Sequence, residues 1–389
     1  MTKRVRVLHV IQNLNYGGME RVLSDIAIRC DQRRFETHVL CLQYLGRFSK
    51  GLEDVATLHV AAPMSAGSMI WPRSLASQMR SIRPDVMHSH SGVWYKASFA
   101  ARLADVPRII HTEHGRAKPD PIQSRLVDRI GAARSDAVVA VSAVLGEQIK
   151  RDLRIPERKL VVIPNGVDTE AYCPRPDTGT LRRELGIARE TPIIGSIGRL
   201  EPIKGYDVMI DGFARLHSRG TDNGAVLVIA GEGTDRPRLE EMVRARGLGR
   251  SIFLPGWRDD VHAMQSAFTF FTMSSRSEGT SISLLEAMSA GLAPVVTDVG
   301  GNAAVLGDKL RHCLVAPEDP DALSLAWERM LNDPRLRESS SVTARGRVGE
   351  AFGLDAMVHA YERLYLGASR ELTAAASGER RTRRSAFSS

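Results

Sequence analysis

Short apolar runs alternate with longer amphipathic stretches along most of the chain. In the first half the runs fall at 5–11, 37–42, 86–88, 108–112, 137–142 and 160–164. Helical spacing of apolar positions fills 20–30, 72–82 and 95–104 between them. The alternation then restarts, with a second set of six runs at 193–197, 225–230, 252–254, 268–273, 293–297 and 311–315. Strands alternating with helices predict parallel sheets joined by crossover helices. The fold class expected is α/β, with two doubly wound Rossmann-like domains. Such sheets bind ligands beyond their C-terminal strand ends, here in a cleft between the two domains.

Ile163-Pro164-Asn165-Gly166-Val167-Asp168, followed by a proline-containing stretch through Asp177, marks the break between the sets. The boundaries expected are 1–170 for the first domain and 171–351 for the second. A last helix over about 352–366 is expected to pack back on the first domain. Beyond it, 367–389 reads as a disordered basic tail that ends near Arg380-Arg381-Thr382-Arg383-Arg384. This tail contributes to the net charge of +8 and could touch anionic lipid or nucleic acid, although a solvated terminus is the better explanation.

Composition narrows the class further. Hydrophobic residues make up 43% and charged residues 25%, as in soluble globular proteins. No apolar run has the length of a membrane span, and Met1-Thr2-Lys3-Arg4 leads directly into a strand. Cys30, Cys41, Cys173 and Cys313 lack metal spacing and read as reduced thiols. The location expected is the cytoplasm, with peripheral contact at the inner face of the cell membrane. No nucleic-acid motif is present.

The candidate chemistry begins with Glu278 and Glu286, which bracket a glycine-softened loop and the start of an apolar helix. Amides at a helix N-terminus favour a phosphate, and flanking carboxylates accept hydroxyls. That combination suits a nucleotide-sugar. A capping box formed by Ser283-Leu284-Leu285-Glu286 competes with this reading of Glu286. Arg199 and Lys204 follow the strand at 193–197, where two cations would suit a diphosphate or simply lie in solvent. His88, His90 and His114 also follow strands and could be bases, metal ligands or oriented donors, with His114 the best candidate. Neither half carries G-x-G-x-x-G or a Walker A loop after its first strand. Instead, the first turn contains Gly17-Gly18-Met19-Glu20. The D-x-D match Asp319-Pro320-Asp321 reads better as a helix start than as a metal site.

In this order the segments resemble the family 4 retaining glycosyltransferases of the GT-B fold across nearly all the ordered length. Gly17-Gly18-Met19-Glu20 is similar to the family's Gly-Gly-x-Glu turn, and 84–90 to its P-D-x-x-H-x-H strand. The segment 164–168 resembles its P-N-G-V-D, and Gly198-Arg199 through Lys204-Gly205 its phosphate loop. Ala230-Gly231-Glu232-Gly233 matches its G-x-G turn, and Glu278 through Glu286 its E-x7-E signature, followed by Gly300-Gly301. The type looks closest to bacterial transferases of exopolysaccharide and PEP-CTERM systems.

The resemblance implies a metal-independent, retaining hexosyltransferase without a cofactor. A UDP- or GDP-sugar would be its co-substrate, and a saccharide or lipid-linked molecule its acceptor. It implies that Glu286 accepts from ribose hydroxyls and Glu278 from the donor sugar. Arg199 and Lys204 would grip the diphosphate, with Gly279, Thr280, Ser281 and Ile282 completing the donor site. His114 would lie by the reacting centre, and Gly18 would approach phosphate or acceptor. Two positions depart from the family: Ala304 replaces a usual Glu, and Gly279-Thr280-Ser281 replaces a common Gly-Phe-Gly. Acceptor choice is expected in loops around 44–50 and 65–73, the latter carrying Met69-Ile70-Trp71. A GT-B-fold UDP-N-acetylglucosamine epimerase and a non-catalytic nucleotide-sugar-binding protein remain as alternatives.

Overall fold

A computed structural model describes residues 3–15, 17–63, 71–115 and 122–367. Tyr16, most of the 65–73 loop with Met69 and Ile70, and the tail from 368 onward lie outside the described residues. The chain divides into two units, one running to Asn165 and resuming at Leu354, the other Gly166–Gly353. The first break falls a few residues before the position expected. Val167 already packs in the second unit's core, and its N–H donates to Phe352 O at 2.9 Å.

The first unit is built on seven parallel strands. They are β1 (Val5–Asn13), β2 (Phe35–Tyr44), β3 (Ala56–Val60), β4 (Val86–His90), β5 (Arg108–Glu113), β6 (Ala137–Ala140) and β7 (Leu160–Val162). Their order is β3-β2-β1-β4-β5-β6-β7, so the winding reverses between β1 and β4. Buried β1 residues Leu8, Val10 and Ile11 explain its central place. Six strands were expected here; the seventh, β3, is a half-exposed edge strand whose Ala-Thr-Leu-His-Val sequence has no continuous apolar run. Helix Leu354–Tyr365 belongs to this unit, with Tyr361, Leu364 and Tyr365 buried. Glu362 fixes its docking by accepting from the Asp31 N–H at 2.8 Å.

Six parallel strands form the second unit: β8 (Ile193–Ile197), β9 (Val226–Ala230), β10 (Ile252–Phe253), β11 (Phe270–Met273), β12 (Pro294–Thr297) and β13 (Leu314–Val315). The order β10-β9-β8-β11-β12-β13 places the reversal between β8 and β11. Strand β13 is shorter than expected because Asp308–Cys313 winds into a 3-10 helix before it. One continuous core joins Phe270, Phe271, Val295 and Trp327, and each such side chain contributes about 1.5–3 kcal/mol on burial. The indole N–H of Trp327 donates to Thr272 Oγ1 at 2.9 Å, so its polar edge is satisfied. Asp319 caps helix Pro320–Asn332 by accepting from the Ala322 N–H, and Asp321 pairs with Arg215. The D-x-D segment is thus a helix start.

Burial pushes the Cys30 and Cys41 thiols up to about 12 and that of Cys313 up to about 11, and no cysteine pairs with another. Among the described residues no helix is long and apolar enough to cross a membrane.

Candidate active site

In the second unit, the strand ends on either side of the reversal carry the expected cations and carboxylates. Leaving β8, the chain turns through Gly198 and Arg199 into a single 3-10 turn, Pro202–Lys204. Gly205 then takes φ 63°, and a Cβ there would stand 2.2 Å from Ser274 O. Gly231, at φ 148°, lies so close to the β8 turn that a Cβ would meet Gly198 O at 1.9 Å. Only glycine permits these approaches. They stack the turns after β8, β9 and β11 against one another.

That packing brings Lys204 to Glu278, 74 residues away in sequence. Lys204 Nζ donates to Glu278 Oε1 at 2.6 Å, and Ser275 Oγ donates to the same oxygen at 2.6 Å. The pair is mostly withdrawn from solvent, with side-chain exposures of 18% for Lys204 and 9% for Glu278. Both donors converge on Oε1, so Oε2 keeps its lone pairs for another donor. Lys204 likewise retains two of its three N–H bonds. Tyr206 is buried nearby; burial first, and the Glu278 charge as a smaller cause, push its hydroxyl pKa well up and keep it protonated. Arg199 is exposed.

Gly300 braces the Glu278 loop from behind. At φ 55° it sits where a Cβ would be 1.8 Å from Glu278 O, and the Gly301 N–H donates to Gly279 O at 3.0 Å. Helix Ile282–Ser289 follows. Its N-cap is Ser281, whose hydroxyl accepts from the Leu284 N–H at 3.4 Å. The competing capping box does not form: Ser283 lies inside the helix, and with Ser281 as the N-cap Glu286 is two positions past N3, where a capping-box glutamate would stand. Glu286 is instead buried on the helix. The first intrahelical acceptor, Ser281 O, takes the Leu285 N–H at 3.2 Å. The amides of Ile282 and Ser283 consequently have no acceptor within the helix. Gly279, Thr280 and Ser281 are buried beneath this end. Ala304 occupies the short helix Asn302–Leu306, where its carbonyl accepts from Arg347 at 3.1 Å.

The first unit collects histidines at its own reversal. Register pairs His9 with His88 across β1 and β4, and His90 with Thr112 across β4 and β5. His9 Nδ1 lies 3.2 Å from His90 Nε2, and His90 Nδ1 lies 3.0 Å from His114 Nε2. His88 joins the last helix, with Nδ1 2.9 Å from Tyr365 OH and Nε2 2.7 Å from Thr112 Oγ1. The ring nitrogens of His9, His88 and His90 approach within 4.8 Å of one another, close enough to share an ion. Each ring is already tied into hydrogen bonds, and among the described residues no carboxylate joins the group. Burial lowers all four bases, His9 to about 3 and His114 to about 4, with His88 and His90 also held well below the usual imidazole range. Sequence reasoning missed His9, which shows its role only through the β1–β4 register. It also missed Ser275, an ordinary loop serine until Glu278 is placed beside it. Gly18 is exposed at the start of helix Gly18–Arg29.

Comparison with known proteins agrees with this architecture. The Glycosyltransferase Family 4 model matches residues 16–171, and the Glycosyl transferases group 1 model matches residues 177–347. The chain is 25% identical over 380 residues to the Escherichia coli UDP-Gal:alpha-D-GlcNAc-diphosphoundecaprenol alpha-1,3-galactosyltransferase, covering 93% of this chain and 97% of that one. It is 29% identical to a D-inositol 3-phosphate glycosyltransferase of Jonesia denitrificans over 73% of each chain. Its fold is similar to that of Anabaena HepE in complex with UDP and glucose, at TM-score 0.82, 20% identity and coverage of 93% and 99%. Two parallel doubly wound units of this kind define the GT-B fold. The chain belongs to the family 4 glycosyltransferases.

Proposed function

We propose that this glycosyltransferase moves a hexosyl unit, with retention of anomeric configuration and without a metal or other cofactor, from a UDP- or GDP-sugar to a saccharide or lipid-linked acceptor. The observation that carries the reading is the Lys204–Glu278 pair beside the open amides of Ile282 and Ser283. In this reading the two unused N–H bonds of Lys204, together with Arg199 and those amides, take the diphosphate and offset charge growing on the leaving group. Glu278 Oε2 accepts from a sugar hydroxyl, and Glu286 accepts from the ribose. Gly279, Thr280 and Ser281 shape the loop around the donor, while Gly18 of the first unit approaches phosphate or acceptor. His114 contributes the first unit's hydrogen bond to the sugar.

Oε1 of Glu278 is held by Lys204 and Ser275, and in this reading Oε2 goes to a sugar hydroxyl, so the carboxylate is used to position the donor and not as an acid/base partner or nucleophile. Same-face attack, with the departing phosphate taking the acceptor proton, fits that arrangement. The Escherichia coli relative is named for a UDP-sugar donor and a diphosphoundecaprenol acceptor, which supports a lipid-linked acceptor. Peripheral contact with the cytoplasmic side of the membrane that would carry such an acceptor is part of the same proposal. The test is nucleotide release from a panel of UDP- and GDP-sugars, with and without extracted lipid acceptors. Transfer should require the acceptor and disappear in Lys204→Ala and Glu278→Ala. Unchanged transfer in both variants would refute the site. Epimerisation of UDP-N-acetylglucosamine without acceptor would point to an isomerase instead.

A further inference from the structure

The three rings His9, His90 and His114 form one chain. His90 sits in the middle, with Nε2 at 3.2 Å from His9 Nδ1 and Nδ1 at 3.0 Å from His114 Nε2. A neutral imidazole carries one N–H and one lone pair. His90 must therefore donate through one nitrogen and accept through the other. Only two arrangements satisfy both bonds. In one, His90 donates from Nδ1 to His114, His9 donates to His90, and the proton of His114 sits on Nδ1. In the other, every bond runs the opposite way, and His114 Nδ1 presents a lone pair. The tautomer of His114 is thus coupled to His9, a ring it does not touch.

The remaining nitrogen of His114 gives this coupling an outlet. His114 Nδ1 is buried and has no hydrogen-bond partner among the described residues. Buried polar atoms rarely go unpaired, so an unpaired one on a partly exposed ring marks the place where a ligand group completes the bond. A sugar hydroxyl is a suitable partner because it donates and accepts equally well. Ring stacking at 5.5 Å between His9 and His90 and at 5.3 Å between His90 and His114 keeps the chain in register.

We infer that His90, held by His9, is a positioning residue for His114, and that the three neutral rings switch tautomer together so that His114 Nδ1 meets a sugar hydroxyl as donor or as acceptor. This rests on the assignment of His114 to the sugar made above. Burial, which disfavours a charged form at each of the three rings, is consistent with a chain that works uncharged. Neither His90 nor His9 needs to reach the substrate.

The experiment uses the full chain labelled with 15N-histidine. Long-range proton–nitrogen spectra at pH 7.5 report which nitrogen of His114 carries hydrogen. His9→Phe should change the tautomer balance of His114, and His90→Phe should release it altogether. UDP formation from UDP-galactose with extracted lipid acceptor should fall roughly 10-fold or more in kcat for His90→Phe, with donor KM little changed, and His90→Gln should recover much of it. Unmoved His114 resonances in a folded His9→Phe protein would overturn the inference, as would a metal ion bound at these rings in the purified protein. If His90→Phe does not fold, His9→Phe and His90→Gln decide the matter. Full transfer activity in His114→Ala would instead defeat the assignment of His114, whereas the tautomer coupling is read in the free protein and is judged separately.

Discussion

Replacing Gly300 with alanine tests how the glutamate loop is held. The new Cβ would lie 1.8 Å from Glu278 O, 2.7 Å from its carbonyl carbon and 3.1 Å from its nitrogen. Reaching an ordinary separation of 3.4 Å requires the two segments to part by about 1.6 Å. Alanine at φ 55° adds roughly 1–2 kcal/mol of backbone cost. A shift of that size also pulls Oε1 away from Lys204 and Ser275, weakening charge-assisted bonds worth about 1.5–3 kcal/mol each. Partial relaxation will recover some of this, so the expected loss is about 2–4 kcal/mol. For a unit of this size that lowers Tm by roughly 5–12 °C. Donor turnover should fall on the order of 100-fold, because a displacement near 1 Å at the reacting groups costs about that much. Thermal unfolding and nucleotide release measure the two effects. Gly346→Ala is the control: its Cβ meets nothing within 4 Å on helix Pro334–Ala351, and alanine should stabilise by about 0.5–1 kcal/mol. A Gly300→Ala protein with unchanged Tm and turnover would show that the loop is not braced from this side.

A double-mutant cycle of Lys204→Met and Glu278→Gln should give a coupling energy of about 1–3 kcal/mol in urea unfolding, because the pair is largely buried; additive effects would contradict the 2.6 Å contact. Tyr365→Phe removes the hydroxyl facing His88 Nδ1 and should cost about 1–3 kcal/mol, read as a shift in urea midpoint, since a buried ring nitrogen loses its partner. Stability should also fall in acid. The pKa of His9 is lowered from 6.5 to about 3 and that of His114 to about 4, so below pH 6.5 the unfolded chain takes up protons that the folded one refuses. The stabilisation is complete above pH 6.5 and is lost as pH falls towards those values. Each ring that stays neutral contributes about 2 kcal/mol of loss between pH 7.5 and pH 5. Urea midpoints across that range should show it, with a shallower dependence in His9→Phe; a flat profile would argue against neutral buried rings.

Long apolar runs were readable because burial on both faces of a parallel strand leaves no polar alternation. The run at 193–197 coincides with β8, and most others match to within a few residues. Strand β3 was not readable, since an edge strand half open to water needs no such run. Helix Pro334–Ala351 was equally hidden because its buried line, Ser340, Ala344 and Val348, consists mostly of small side chains and makes no apolar stripe. At the candidate site, the spacing of Ser283 and Glu286 suggested a cap at Ser283, and only the backbone, extended at Ser281, shows that the helix starts two residues earlier. The cations were visible as a loop motif. The pairing of Lys204 with Glu278 was not, because contact across 74 residues depends on three glycine turns packing together. The histidine chain is a product of register: His9, His90 and His114 come from three different parts of the sequence and meet only when β1, β4 and β5 align.

The discontinuity of the first unit also sets an order of events on the ribosome. Asp31 finds its partner Glu362 only 331 residues later, and His88 waits 277 residues for Tyr365. At synthesis rates of about 5–20 residues per second, the earlier interval lasts on the order of 15–70 s. During that time Gly166–Gly353, an unbroken segment, emerges in full and can finish its own sheet. The older half of the nascent chain meanwhile lacks Tyr361, Leu364 and Tyr365, and the histidine face remains uncovered. The part of the protein made first is therefore the part completed last, and chaperone demand should concentrate on it until the final helix is released.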